Sequence, residues 1–317
     1  MNFHLPMLKY LKLSGLSICK RELTTKLFSS CPVLESLIIK RCCVNLDNVY
    51  ATKLKDFKVK SNDYGSQEGN MIRLYAPNLT SFICGSCLSH DYSLESLSSL
   101  VTADFRMTLQ DNDEDYDSYL TDSAECKKHV SQSMMNLLRG IHNVKDLILP
   151  DCFLQVISGA SKLLECQSPQ LSNLRILELQ TYLRKNCFPA IAYLLKNSPK
   201  LESLYIQINK DYSDEPLIYP FCDEIISDPQ NIGDDWETEV SLPCMMHHLK
   251  FVKLIPVQGR INELKFLELL LRNAAVLERV ILCCEWGPGK TTTRLTNFSE
   301  KLRTFPRVSS AVTFMCF

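Results

Sequence analysis

Leu174-Arg175-Ile176-Leu177-Glu178-Leu179 is followed by Leu201-Glu202-Ser203-Leu204-Tyr205-Ile206, with 27 residues between the two leading leucines. Each phrase alternates apolar and polar side chains with period two, the signature of a short strand with one buried face. Between them the period becomes helical, with Phe188, Ile191 and Leu195 at i, i+3 and i+7. Ser198-Pro199 then ends that helix, because proline cannot continue it. A strand and a helix of this size cannot bury their leucines alone; stacked copies can.

The copies are present. The first phrase recurs at Leu8-Lys9-Tyr10-Leu11-Lys12-Leu13, Leu54-Lys55-Asp56-Phe57-Lys58-Val59 and Leu249-Lys250-Phe251-Val252-Lys253-Leu254. The second recurs at Val33-Leu34-Glu35-Ser36-Leu37-Ile38-Ile39 and Val276-Leu277-Glu278-Arg279-Val280-Ile281-Leu282, and weaker relatives begin at Leu79, Leu100 and Val144. From first phrase to second the leading leucines lie 26 residues apart (8 to 34), 27 (174 to 201) and 28 (249 to 277). That is a leucine-rich-repeat period. Leu264, Leu267 and Leu271 supply another helical face, and Cys31-Pro32 another stop. The fold expected is an α/β leucine-rich-repeat solenoid, a horseshoe with parallel strands on its concave face and helices on its convex face.

Composition agrees. Of 317 residues, 48 are leucine and only 10 are glycine, which speaks against glycine-rich phosphate-binding architectures. The 35 basic side chains balance 36 acidic ones, so no overall charge draws the chain to nucleic acid or an anionic membrane, and neither is an expected partner. There is no apolar window long enough to cross a bilayer. The start, Met1-Asn2-Phe3-His4-Leu5-Pro6, lacks the basic and apolar regions of a secretory signal. The fifteen cysteines therefore read as reduced thiols in a cytoplasmic or nuclear protein. Without secretion the sequons at Asn78 and Asn297 are out of reach of glycosylation.

Two wide gaps interrupt the repeats, from Leu100 to Val144 and from Leu201 to Leu249. The first holds an acidic tract over 111–117 and then an amphipathic helix with Val130, Met134, Leu137, Leu138 and Ile141 on one face. The second has ten Asp or Glu, Trp236 and no Lys or Arg between Asp211 and Leu249, and reads as an acidic loop. From Lys250 onward eleven basic side chains face five acidic ones. The organisation expected is a solenoid over 1–248, with acidic insertions near 110–119 and 209–243, closed by terminal repeats over 249–317.

Ser29-Ser30-Cys31-Pro32-Val33-Leu34-Glu35-Ser36-Leu37 closely resembles a phrase that plant F-box/LRR proteins carry early in their repeats. Asn45-Leu46-Asp47 and Tyr75-Ala76-Pro77-Asn78-Leu79 are similar to the same family. The stretch from Leu249 through Asn262-Glu263-Leu264-Lys265-Phe266-Leu267 and Asn273-Ala274-Ala275-Val276-Leu277-Glu278 to Phe305-Pro306-Arg307 resembles the FBD-type region that closes many members. The resemblance implies a substrate-recognition arm in ubiquitin ligation, with the repeats presenting a target protein. Family members carry an F-box before the repeats, which docks on a Skp1-type adaptor. Here the repeats begin by Leu8, so that element is expected to be absent and the adaptor is not an expected partner.

Several motifs imitate chemistry. Gly287-Pro288-Gly289-Lys290-Thr291 lies between a strand and a helix, as a phosphate loop does, but Cys284 stands where the first glycine of the loop belongs. A turn with a glycine-rich tip is the reading preferred over an ATP site at Lys290. Cys84-Gly85-Ser86-Cys87 with His90 offers three zinc donors and lacks a second pair; Cys84 falls at an inward strand position. Asp111, Asp113, Asp115 and Asp122 have calcium-loop spacing, but Tyr116 replaces the required glycine. One thiol each of Cys42-Cys43 and Cys283-Cys284 is expected to pack inward. His247-His248 has no nucleophile or carboxylate constellation around it. Neither a catalytic site nor a cofactor nor a metal is expected.

What remains is a surface. By period two, the residues pointing from the strands into the concave face are Lys12, Ile38, Lys58, Ile83, Asp104, Ile148, Glu178, Tyr205, Lys253 and Ile281. Five of the ten are isoleucine or tyrosine, a mixture of apolar anchors and charge suited to a protein interface. The leading expectation is a non-enzymatic protein-binding module. The alternatives are a small-ligand receptor holding its ligand in the solenoid mouth, which needs a deep pocket of aromatic and basic side chains, and a truncated product without ligase function.

Overall fold

The computed structural model describes residues 4–18, 20–60, 71–85, 91–107, 124–160, 170–184, 187–209, 246–284 and 290–316. The acidic tracts over 111–117 and 211–245, Cys87, His90, Asp122 and the Gly287-Pro288-Gly289 tip lie outside the described residues. Each repeat opens on the same local event. A three-residue turn brings the leading leucine's N–H onto a carbonyl, as in Leu34 to Cys31, Leu54 to Ala51, Leu79 to Ala76, Leu174 to Leu171 and Leu201 to Ser198. Pro32, Pro77 and Pro199 occupy the second position of such turns, where their fixed φ fits. The leucine then dives into the core and the chain goes extended.

The strands so started form one parallel sheet of eleven, hydrogen-bonded strictly in chain order. They are β1 (Tyr10–Ser14), β3 (Ser36–Lys40), β6 (Asp56–Lys60), β8 (Ser81–Cys84), β10 (Thr102–Phe105), β11 (Asp146–Leu149), β12 (Ile176–Thr181), β13 (Ser203–Ile208), β14 (Phe251–Val257), β15 (Arg279–Cys284) and β16 (Thr313–Cys316). All ten phrases and relatives noted above lead into strands of this sheet. The sheet runs without a break across residue 248, since β13 pairs with β14.

Two rows of side chains face the core. Leu37, Phe57, Phe82, Ala103, Leu147, Leu177, Leu204, Val252 and Val280 lie side by side in register, all nearly fully buried. The aromatic part is the tightest: Phe57 stacks on Phe82 at 5.6 Å between ring centroids, and Phe82 meets Phe105 edge-on at 5.8 Å.

The return segments behind the sheet differ from expectation. Helices back much of it: α1 (Arg21–Ser29), α2 (Ala124–Gly140), α3 (Asp151–Ser158), α4 (Phe188–Lys196), α5 (Ile261–Asn273) and α6 (Lys290–Thr304). In residues 41–95, however, no helix occurs among the described residues. A second parallel sheet stands there, β5 (Val49–Tyr50), β7 (Met71–Tyr75) and β9 (Asp91–Glu95), while β2 (Ser17–Ile18) pairs with β4 (Cys43–Val44). Segment length follows the change. The returns 41–55, 61–80 and 85–101 have at most 20 residues, whereas the helical returns 15–35, 150–175, 182–202 and 258–278 have 21 or more. A helix advances about 1.5 Å per residue and a strand about 3.3 Å, so an extended segment crosses the layer with fewer residues. Val49, Ile72, Leu74 and Tyr92 from this backing sheet join the same core.

The two kinds of backing meet at α2, which packs on β9. Gly140 makes that approach possible, for a Cβ there would lie 2.8 Å from the Cβ of Leu94. The expected amphipathic face of α2 is buried as read, with Met134, Leu137 and Leu138 fully covered.

Candidate functional site

The core rows leave the opposite face of the large sheet uncovered by any described element. Its middle row is continuous. Lys12 pairs with Ile38, Ile38 with Lys58, Lys58 with Ile83, Ile83 with Asp104, and Asp104 with Ile148. Ile148 pairs with Glu178, Glu178 with Tyr205, Tyr205 with Lys253, and Lys253 with Ile281. The ten residues chosen by period two thus stand in one line across ten strands. Met315 of β16 extends the line and was not foreseen, because Thr313-Phe314-Met315 carries no leading leucine.

One of the ten is not available. Asp104 is only 4% exposed, because Arg106 folds back over it with Nη2 2.7 Å and Nε 2.9 Å from the same carboxylate oxygen. Its carboxylate is an internal counter-ion on this face, and the partly exposed group there is Arg106. Period two gives the direction of a side chain but not whether a neighbour two residues on will cover it. Lys12 is exposed and the remaining eight are half-buried.

Neighbouring rows complete the face, and reading one residue per strand missed them. At β12–β16 apolar and aromatic side chains stand among Glu178, Lys253 and Arg279. Tyr205 and Phe251 rings sit 5.3 Å apart, and the Arg279 guanidinium lies 5.7 Å from the Phe251 centroid. Ile176, Ile255 and Met315 surround them, each nearly 40% exposed. Both Phe251 and Arg279 lie two residues before a predicted contact, so the same periodicity held the signal. At β1–β8 the face is basic, with Lys12, Lys40, Lys58 and Lys60.

Along the strand entrances runs a charged rim. Glu35 is gripped by Lys55 at 2.7 Å and Lys9 at 3.0 Å, which holds its carboxyl down at about 2, Lys55 contributing most. Arg175 pairs with Glu202 farther along. A broad depression of about 620 Å³ opens beside the first pairs, lined by Lys9, Glu35, Lys53, Lys55, Asn78 and Thr80, among others. It has lysines but no aromatic side chain, unlike the deep pocket a small-ligand receptor needs.

Buried polar groups serve the scaffold. Asp151, at the start of α3, accepts the Tyr182 N–H at 3.1 Å and hydrogen bonds from Gln155 and the Cys187 thiol. Burial pushes its carboxyl up despite these donors. Glu263 accepts the N–H groups of Gln258, Gly259 and Arg260 at 2.8–3.1 Å, closing the turn before α5, and burial pushes it up to about 7. Gly259 holds φ +74° in that turn. Cys84 is fully buried, with its sulfur 3.6 Å from the Tyr92 hydroxyl. Cys42 packs inward and Cys43 less so, and in the second pair Cys284 packs against the core beside Val257 while Cys283 does not, as expected of each pair. Among the described residues no three His, Cys, Asp or Glu side chains converge as metal ligands, and no helix is long and apolar enough to cross a membrane.

Comparison with known proteins adds a family context. The FBD family model matches residues 239–282, which take in β14, α5 and most of β15. An F-box/FBD/LRR-repeat protein of Arabidopsis thaliana is 27% identical over 320 aligned residues, covering 97% of this chain and 61% of that protein. The same plant's F-box/LRR-repeat protein 13 is 24% identical over 293 residues, 90% of this chain and 57% of its own length. The chain therefore spans about three fifths of the length of these curated relatives.

Proposed function

Taking as premise that the chain is a relative of the plant F-box/FBD/LRR-repeat proteins, we propose that it recognises a target protein on the open face of its large sheet. The role is that of the substrate-recognition arm of a ubiquitin-ligase subunit. It is non-catalytic, and no cofactor, nucleic acid or membrane takes part. In this reading the sheet curves as a leucine-rich-repeat horseshoe with the open face inside the curve. Residues 249–317 close the array as an FBD-type unit. The observation that carries the proposal is the aromatic cluster of Tyr205, Phe251 and Arg279, set among half-exposed Ile176, Ile255 and Met315. Tyr and Arg are enriched among the residues that dominate protein interfaces, and a solenoid sheet presents them over a long surface.

A Skp1-type adaptor is not a direct partner of these 317 residues in this proposal, and the site of action is the cytoplasm or nucleus. The test is affinity purification of the chain from plant cell extract beside the Tyr205→Ala/Phe251→Ala variant, with mass spectrometry of the captured proteins. A specific protein captured by the parent chain and lost from the variant supports the proposal. Equal capture by both, or direct capture of the adaptor alone, contradicts it.

A further inference from the structure

The basic end of the open face has a feature that packing does not explain. Lys40 and Lys60 are direct cross-strand partners on β3 and β6. Like charges placed opposite each other destabilise a sheet. Two residues earlier, Lys12 and Lys58 flank Ile38, and Ile83 follows Lys58 in the same line. The open face of β1, β3, β6 and β8 thus carries four lysines against one carboxylate, Asp56. None of the four lysines has an ion pair among the described residues. Contrast the rim at the entrances of the same strands, where Lys9 and Lys55 share Glu35, and the middle of the sheet, where Arg106 is matched by Asp104. Among the described residues acids are paired with bases on both sides of this patch, whereas within it Asp56 stands against four lysines.

We propose that these lysines bind an acidic, extended segment of the recognised protein, lying across the strands with apolar side chains over Ile38 and Ile83. This rests on the reading of the open face as the recognition surface and specifies the partner's chemistry at one end of it. Charge complementarity identifies the occupant. Neighbouring strands are about 4.8 Å apart, so Lys12 and Lys58 are separated by about 10 Å, the reach of roughly three extended residues. In a polyproline II-like extended segment, with three residues per turn and about 3.1 Å rise per residue, side chains at i and i+3 share a side, so the segment carries Asp or Glu at intervals of three. A nucleic acid fits less well: the lysines lie on three strands, are interleaved with isoleucine, and give way to the Asp146 and Glu178 carboxylates farther along the face.

The experiment uses the full chain and a fluorescein-labelled peptide of Glu-Ser-Val repeated four times, read by anisotropy. The same peptide with Gln for Glu, and an oligouridylate of twelve nucleotides, serve as comparisons. The Glu peptide is expected to bind, to weaken as salt rises, and to lose about ten-fold in affinity in Lys40→Glu/Lys60→Glu. Lys301→Glu, at an exposed position of α6, should leave it unchanged, and Lys40→Gln/Lys60→Gln should fall between. Equal binding of the Gln peptide, tighter binding of the oligouridylate, an equal loss in Lys301→Glu, or no binding of the Glu peptide overturns the inference. If it fails while Tyr205→Ala/Phe251→Ala still releases the captured target, recognition by the open face stands without it. If the peptide binds and the aromatic variant keeps its target, the aromatic reading is the one that falls.

Discussion

Between Lys40 and Phe105 the large sheet is backed by short parallel strands, whereas from Ala124 onward helices take that place. The open faces differ in parallel: lysines over the strand-backed part, aromatic and aliphatic side chains over the helix-backed part. The strands pair in parallel throughout, with one register shift between Leu254 and Val257, and ten of the eleven open on the leucine phrase or a relative of it. What varies is the length of chain given to the return and the residues at outward positions. Architecture and the chemistry of the open face are thereby written in different letters of the same repeat.

The largest effect that would sharpen this contrast lies in the strand-backed core. Phe82→Ala removes the centre of the Phe57–Phe82–Phe105 stack and should cost about 3–5 kcal/mol in urea unfolding. Because each repeat touches mainly its neighbours, hydrogen exchange should accelerate first in β6, β8 and β10, with β13–β15 least affected. Uniform acceleration over the whole sheet would show that the two parts unfold as one.

The junction is the next place to break it. Gly140→Val puts branched atoms where α2 meets Leu94 of β9, and should destabilise by about 2 kcal/mol through overpacking. The measurement is the urea midpoint. An unchanged midpoint would mean that the helix-backed part is not held against the strand-backed part at this contact.

The smallest effects concern two glutamates of opposite character. Glu263, buried in the helix-backed part, takes its proton more readily in the fold (about 7) than a free glutamate does. Its contribution is therefore fully present below about pH 4.5 and is lost as pH rises through about 7. Glu35, on the rim of the strand-backed part, is held at about 2, so its contribution is present above about pH 4.5 and is lost as pH falls toward 2. Thermal midpoints taken from pH 2 to 8 should show Glu263→Gln flattening the neutral side and Glu35→Gln the acid side only. A variant that alters the wrong limb, or neither, contradicts the assigned environment.

Much of this was legible in the sequence. Leu-x-x-apolar-x-apolar phrases located the strands, and period two put ten residues from Lys12 to Ile281 into a single paired row. Proline stops at Pro32 and Pro199 marked helix ends. Other features depend on facts a pattern does not hold. The backing strands at Val49, Met71 and Asp91 occur in the shorter returns, whose sequence carries no strand phrase of its own. The loss of Asp104 follows from Arg106 folding over it. The Lys40–Lys60 pairing requires register, which comes from the hydrogen-bonded ladder. Phe251 and Arg279 were within reach of the same alternation, two positions back from residues already chosen.

The central claim is that recognition uses the open face of the sheet and not its backing. Side-chain oxidative footprinting of the chain, free and with its captured protein, tests that directly. Tyr205, Phe251 and Met315 report on the open face, and Tyr50, 61% exposed and stacked on Tyr75, reports on the backing sheet. The account predicts that labelling of Tyr205, Phe251 and Met315 falls in the complex while Tyr50 labels as before. Protection of Tyr50 with the open-face residues unchanged would contradict it.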